Sequence, residues 1–193
     1  MFKNFSIIIP IFNEEENIEN LIFEIINNIT KEEKINFEII VVNDSSTDKS
    51  LEILEEISKK IEIIVVNNDK NVGQSYSILN GVLSSKFDTI VTLDGDGQND
   101  PKDIYKLVKI YSSSKDIKLI GGIRTKRKDN IIKILSSKIA NYVRNLILND
   151  DCTDTGCGIK VFDKIFFYPS RILMVFIDFF LLYSNTLVST QIL

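Results

Sequence analysis

Short runs of β-branched residues alternate with helical patterns along the first two thirds of the chain, and a polar cluster follows each run. Residues Phe5–Ile11 form a continuous apolar stretch, as a strand buried on both faces requires. Residues 14–28 then carry Ile18, Leu21, Ile22, Ile25 and Ile26 at helical spacing. Further strands are predicted at 37–42, 61–66 and 89–93, and further helices at 50–60, 74–83 and, just past Pro101, 104–111. Such alternation implies an α/β fold with a mostly parallel sheet, right-handed crossovers and flanking helices. Ligands of these sheets bind beyond the carboxyl ends of the strands. Asn13 and Glu14, Asn43 and Asp44, residues 67–69 and residues 94–98 all fall at that end. One such cluster is ordinary loop composition; four at the same end point to one site.

Composition narrows the chemistry. The 193 residues suffice for one domain with a real core, and the apolar share of 44% with 26% charged is that of a globular protein. A net charge of −4 gives no electrostatic support to a nucleic-acid partner. With no histidine in the chain, catalysis must rest on carboxylates, amides and basic side chains. Cys152 and Cys157 cannot complete a zinc site by themselves and are expected as packed thiols in a reducing compartment. No signal-length apolar stretch follows a basic start, which places the bulk of the chain in the cytoplasm.

The sharpest local signal is Asp94-Gly95-Asp96-Gly97-Gln98. Two carboxylates one residue apart, leaving a buried strand, can both reach a hard divalent cation, and Gln98 can add a neutral oxygen. The glycines allow a tight turn and close approach of a phosphate. Asp-Gly pairs are also common turn formers, so the motif carries limited weight alone. An EF-hand is excluded because the twelfth position of such a loop would be Tyr105. The second signal, Asn43-Asp44-Ser45-Ser46-Thr47-Asp48, combines a strand-end carboxylate with hydroxyls that lead into a helix. Thr47 and Asp48 read best as helix caps, Asp44 as part of a site.

Taken jointly, these motifs resemble family 2 glycosyltransferases. Residues 6–15, with Pro10, Asn13 and Glu14, resemble the opening of that family; residues 43–48 resemble its second-strand motif. Asn71-Val72-Gly73 is similar to the loop before its third helix, and residues 94–98 to its metal motif. The order and spacing match over roughly residues 5–163. Asp154-Thr155-Gly156-Cys157-Gly158-Ile159-Lys160 is similar to the branch that acts on dolichyl or polyprenyl phosphates. The resemblance implies a GT-A-type nucleotide-diphospho-sugar transferase fold over 1–163. It further implies inverting transfer of a sugar from a UDP- or GDP-sugar to a polyprenyl phosphate. Pro10, Asn13, Glu14, Asp44, Asn71, Gly73 and Asp94 would hold the nucleotide. Asp94, Asp96 and Gln98 would hold Mg²⁺ or Mn²⁺, which neutralises the departing nucleoside diphosphate. The runner-up readings are a catalytically impaired nucleotide-sugar-binding module and a family 2 transferase acting on a polysaccharide.

An anionic acceptor needs no strong general base, which suits a chain without histidine, but it does need cations. Arg124, Lys126, Arg127 and Lys128 supply four within five positions, after an apolar run that reads as a strand. Arg124 is the first choice for bidentate grip on the acceptor phosphate, supported by Arg127, Lys133 and Ser137. Asp96 and Arg124 are thus expected at the transfer step itself. Lys126 and Lys128 fit equally well as a solvated loop near anionic lipid. The expected location is peripheral, at the inner face of the membrane.

Residues 164–193 depart from this pattern. The apolar run 172–183 is short for a span and contains Asp178. Permitted codons for 173–193, read one base out of phase, spell a Gly-x-His-Arg-Phe-x-Pro-Ala-Leu segment of the kind expected after Gly-Cys-Gly in close relatives. The tail is therefore expected to be a frameshifted or truncated end, with the break between about 163 and 173.

Overall fold

The computed structural model describes residues 4–30, 35–113, 117, 119–123, 157–167 and 187–191. Four strand–helix units open the chain: β1 (Phe5–Ile11), α1 (Ile18–Ile29), β2 (Phe37–Asn43), α2 (Ser50–Ser58), β3 (Ile64–Asn67), α3 (Gln74–Ser84), β4 (Thr89–Thr92) and α4 (Lys102–Ser113). β5 (Leu119–Ile123), β6 (Lys160–Asp163), a 3₁₀ turn (Lys164–Phe167) and β7 (Leu187–Gln191) follow. They form one seven-stranded sheet in the order β3-β2-β1-β4-β6-β5-β7. β1 runs parallel to β2 and β4, and β2 to β3, while β6 is antiparallel to both β4 and β5.

The two-residue period of the strands sorts their side chains into two apolar layers. Phe5, Ile7, Ile9 and Ile11 of β1, Ile39 and Val41 of β2 and Val91 of β4 pack with α1, α2 and α4 on one face. Ile8, Ile40, Val42 and Ile90 point the other way, onto Leu79 and Val82 of α3. A strand with both faces covered is largely apolar, and every residue of β1 is buried, its one polar side chain, Ser6, donating to Glu38 Oε1. α3 sits close to the sheet because Gly81 lies against Ile8 and Val42; an added Cβ would meet Val42 Cγ2 at 3.1 Å. Truncating a fully buried side chain such as Ile22 or Leu54 to alanine should cost about 2–5 kcal/mol.

Several predicted boundaries move, each for a local reason. α1 begins at Ile18 rather than at 14, because residues 15–17 form a turn in which the Asn17 and Ile18 N–H groups donate to Glu14 O at 3.1 and 3.0 Å. β3 begins at Ile64 rather than 61, since Lys60 and Ile61 still donate to Ile57 O and close the end of α2. β6 was not expected, although Val161 and Phe162 are apolar and fully buried. β7 was also not expected; it pairs parallel with β5, Leu119 opposite Leu187. No helix among the described residues is long and apolar enough to cross a membrane.

Candidate active site

A cleft of about 260 Å³ opens beyond the carboxyl ends of β1, β2 and β4, lined among others by Pro10, Glu14, Asp44, Asp94 and Asp96. Its rim is built by two loops that satisfy one another's backbone. Asn13 stands in the left-handed region (φ 58°), and its Oδ1 accepts from Thr47 N at 2.8 Å and from Asp48 N at 3.4 Å. In return, Ser46 Oγ accepts from Asn13 N at 3.0 Å and Asp48 Oδ2 from Glu15 N at 3.1 Å. Glu15 Oε2 accepts from Lys49 N at 2.9 Å, and Ser50 Oγ from Glu14 N at 2.8 Å. Open N–H groups at two helix entrances are thus filled by side chains of the opposite loop. Asn13 is a rim-forming residue by this geometry, its side-chain oxygen engaged with the second loop. Of the caps expected at Thr47 and Asp48, Asp48 accepts from Ser50 N at 2.9 Å through Oδ1 while its Oδ2 reaches the first loop, whereas Thr47 Oγ1 donates to Asn13 Oδ1 at 3.3 Å instead of capping its own helix.

Asp44 follows β2 and is buried. Its Oδ1 accepts from Asn68 Nδ2 at 2.8 Å and Val72 N at 2.9 Å, and its Oδ2 from Gly73 N at 2.8 Å. Burial alone would raise its pKa, but the bonds from Val72, Asn68, Gly73 and Ser77 outweigh it and hold the carboxyl below its ordinary value. Gly73 has φ 86°, a conformation that glycine adopts without penalty, and this lets the loop present two successive N–H groups to Asp44. Asn68 also donates to Ser77 Oγ at 2.9 Å and accepts from Asn80 Nδ2 at 2.6 Å. Asn71 and Gly73 therefore belong to a loop that Asp44 anchors.

Asp94 stands two residues beyond β4, half-buried, with Gln74 Nε2 donating to its Oδ1 at 2.7 Å. Burial raises its pKa; Lys160 acts against that, the neighbouring Asp96 reinforces it, and Asn99 and Gln74 lower it through hydrogen bonds, with a net shift upward. Gly95 is pressed against β1, where an added Cβ would meet Pro10 O at 3.2 Å. Gly97 (φ 71°) turns the chain so that Gln98 N donates to Asp96 Oδ1 at 3.0 Å. Gln98 itself is exposed, and its visible contribution is that backbone bond.

Among the described residues no three His, Cys, Asp or Glu side chains are grouped to hold a metal. The donor set still suits a divalent cation in one respect. Asp94 and Asp96 put two carboxylates on one cleft, and their mutual repulsion helps to raise the pKa of Asp94, which a cation would relieve. Phosphate oxygens of a bound nucleotide would complete such a coordination shell.

A second wall was missed by sequence reasoning. Gly158 is buried against Asp94, and a Cβ there would overlap the Asp94 carboxylate. Thr92 Oγ1 donates to Gly158 O at 2.8 Å, and Cys157 Sγ to Asn99 Oδ1 at 3.6 Å. Cys157 is a buried thiol, as expected. Arg124, Arg127, Lys133, Ser137 and Cys152 lie outside the described residues.

The sheet order, with the carboxylate pair beyond β4, defines a GT-A-type fold. Solved structures share it: glucosyl-3-phosphoglycerate synthase from Mycobacterium tuberculosis with Mn²⁺, UDP-glucose and phosphoglyceric acid aligns with a TM-score of 0.66 at 15% identity, over 98% of this chain and 70% of that one. A mannosyltransferase from Pyrobaculum calidifontis with GDP-mannose and Mn²⁺ aligns with a TM-score of 0.62 at 14% identity, over 86% of this chain and 46% of that one. The model of the family described as Glycosyl transferase family 2 matches residues 6–168, and the chain belongs to that family. An undecaprenyl-phosphate 4-deoxy-4-formamido-L-arabinose transferase of Pectobacterium atrosepticum is 35% identical over 164 residues, 84% of this chain and 49% of that protein. The protein of the same name from Photorhabdus laumondii is also 35% identical, over 84% and 50%. The chain thus spans about half the length of the curated relatives it matches.

Proposed function

We propose that this chain transfers a sugar from a nucleoside-diphosphate donor to a polyprenyl phosphate, with inversion at the anomeric carbon. The observation that carries the reading is the Asp94–Asp96 pair at the cleft, in a family 2 chain similar to undecaprenyl-phosphate sugar transferases. Asp94 and Asp96 would hold Mg²⁺ or Mn²⁺, which, when bound, supplies charge neutralisation to the leaving diphosphate. Pro10, Glu14 and Asp44 line the part of the cleft suited to base and ribose, and Asp44 additionally keeps the Val72–Gly73 backbone in place beneath them. Gln74 fixes the carboxylate of Asp94 from the other side. Arg124, with Arg127, Lys133 and Ser137, would grip the acceptor phosphate, whose own charge makes it the nucleophile. Mn²⁺-bound neighbours carrying UDP-glucose and GDP-mannose support a UDP- or GDP-sugar donor. The inner face of the membrane is the location that such an acceptor implies.

The test is release of UDP or GDP from nucleotide sugars in the presence of Mn²⁺ and short-chain polyprenyl phosphate. We expect turnover that requires both. Metal-dependent nucleotide binding without turnover would favour a binding module, and turnover on polysaccharide alone would redirect the acceptor assignment.

We propose further that the tail is read out of frame from a break between about 163 and 173, supported by the His-Arg-Phe-containing segment that permitted codons for 173–193 can spell one base away. Sequencing the gene across codons 160–193 and beyond decides it; an intact frame without downstream His-Arg-Phe coding would refute the idea.

A further inference from the structure

Residues 157–160 approach Asp94 from the neighbouring strand, where β6 runs antiparallel to β4 and Lys160 pairs with Thr92. Three features concentrate on one carboxylate. Gly158 leaves the volume that Asp94 occupies, since a Cβ would overlap it. Thr92 Oγ1 holds Gly158 by its carbonyl at 2.8 Å, which fixes that surface relative to β4. Lys160 Nζ donates to Cys157 O at 2.6 Å, which bends the ammonium back toward the residue adjoining Gly158. A cation is thus built into the wall against which Asp94 rests.

The geometry points to Lys160 as a positioning residue that sets the affinity of the Asp94–Asp96 pair for a divalent cation, with Gly158 as the seat that keeps the Asp94 carboxylate in reach. The inference rests on the cation-binding reading of that pair. Without a bound cation, two carboxylates share a partly buried cleft, and a fixed ammonium offsets part of their repulsion; the direction of its action on Asp94 agrees. When a divalent ion enters, the same ammonium opposes it. The pair is thereby kept stable while empty and weak for the bare ion, so that tight binding needs the extra negative charge of a nucleoside diphosphate. Gly158 acts in the opposite sense: any side chain there would push the carboxylate out of place.

The two positions therefore make predictions of opposite sign, which general damage to the fold would not. Mn²⁺ alone is titrated into the full chain by calorimetry, with free Mn²⁺ followed by paramagnetic resonance. Lys160→Met should bind Mn²⁺ more tightly, roughly tenfold for removal of one nearby charge, and Lys160→Arg should stay near the wild type. Gly158→Ala should bind more weakly. The ratio of Mn²⁺ affinities with and without UDP should shrink in Lys160→Met. In the metal-free state Lys160→Met should melt at a lower temperature than the wild type, and the loss should be smaller in the Asp94→Asn background, where only the bond to Cys157 O and the charge of Asp96 are still affected. Equal or weaker Mn²⁺ binding by Lys160→Met, against a wild type that binds Mn²⁺ measurably, would overturn this role for Lys160. No Mn²⁺ binding by the wild type, with or without UDP or GDP, would instead remove the cation-binding reading itself.

Discussion

Asp44 and Asp94 close strands on either side of β1 and line the same cleft, yet their surroundings treat them in opposite ways. Asp44 is the more buried of the two, and three N–H donors converge on its oxygens, two of them backbone groups of one loop. Asp94 is half-buried, has a second carboxylate beside it in Asp96, and its carboxyl is pushed toward the protonated form. Burial pushes both carboxyls toward the protonated form; at Asp44 the converging donors outweigh it, and at Asp94 they do not. Where donors are sufficient, the residue organises the fold. Where they fall short, the fold leaves a negative charge in want of a cation, and that shortfall is the mark of a working site.

The largest effect is expected at Asp94. Asp94→Ala should lower sugar transfer by about a thousandfold, the scale seen when a preorganised electrostatic contact at a reacting group is lost. The same change should leave metal-free stability, measured by urea unfolding, unchanged or slightly improved. Asp44→Ala should do the reverse in stability. It strands Val72 N, Gly73 N and Asn68 Nδ2, and unfolding free energy should fall by about 2–4 kcal/mol. Asn13→Ala tests the loop interlock that supports the Asp44 side. It removes the acceptor for Thr47 N and Asp48 N at a left-handed position and should cost about 1–2 kcal/mol by the same measurement. Asn13→Gly should cost less than Asn13→Ala, because glycine adopts the positive φ freely.

The smallest effect is in pH, and there the two carboxylates should diverge in sign. The folded pKa of Asp44 lies below the ordinary 3.8, so its contribution is complete above that value and is lost as pH falls through the folded pKa. The folded pKa of Asp94 lies above 3.8, so its ionisation counts against the metal-free fold at neutral pH. That penalty is relieved as pH falls through the folded value toward 3.8. Urea unfolding of wild type, Asp44→Asn and Asp94→Asn between pH 3 and 7 reads both. The deficit of Asp44→Asn should shrink only below 3.8, whereas any advantage of Asp94→Asn should shrink before 3.8 is reached.

Much of this architecture is written in local pattern. The apolar run of β1 and the helical spacing of Ile18, Leu21, Ile22 and Ile25 are consequences of burial on two faces and on one stripe, which sequence displays directly. The strand-end clusters were legible for the same reason: a parallel sheet puts all its βα loops on one side. The partnerships within those clusters were not. Asn13 looks like a ligand-facing residue and Asp48 like a local helix cap until their mutual loop contacts are placed, and no spacing rule links positions 34 and 35 apart. The wall formed by Gly158 and Lys160 was hidden more deeply. It depends on β6 entering the sheet between β4 and β5, an antiparallel insertion that brings Gly158 beside Thr92 across 66 positions. A glycine can mark a close backbone approach, but its place in the sequence does not say what approaches it.

The most direct test of the contrast between these carboxylates is calorimetric binding of UDP and GDP, with and without Mn²⁺, to the wild type, Asp94→Asn and Asp44→Asn, with urea unfolding of the same three samples. We expect the wild type to bind one of the nucleotides in a Mn²⁺-dependent manner. Asp94→Asn should lose the Mn²⁺ dependence while keeping its stability, and Asp44→Asn should lose stability while the folded fraction keeps its response to Mn²⁺. Nucleotide binding by Asp94→Asn that still strengthens with Mn²⁺ as in the wild type would contradict the assignment of Asp94 and, with it, the contrast on which the account stands.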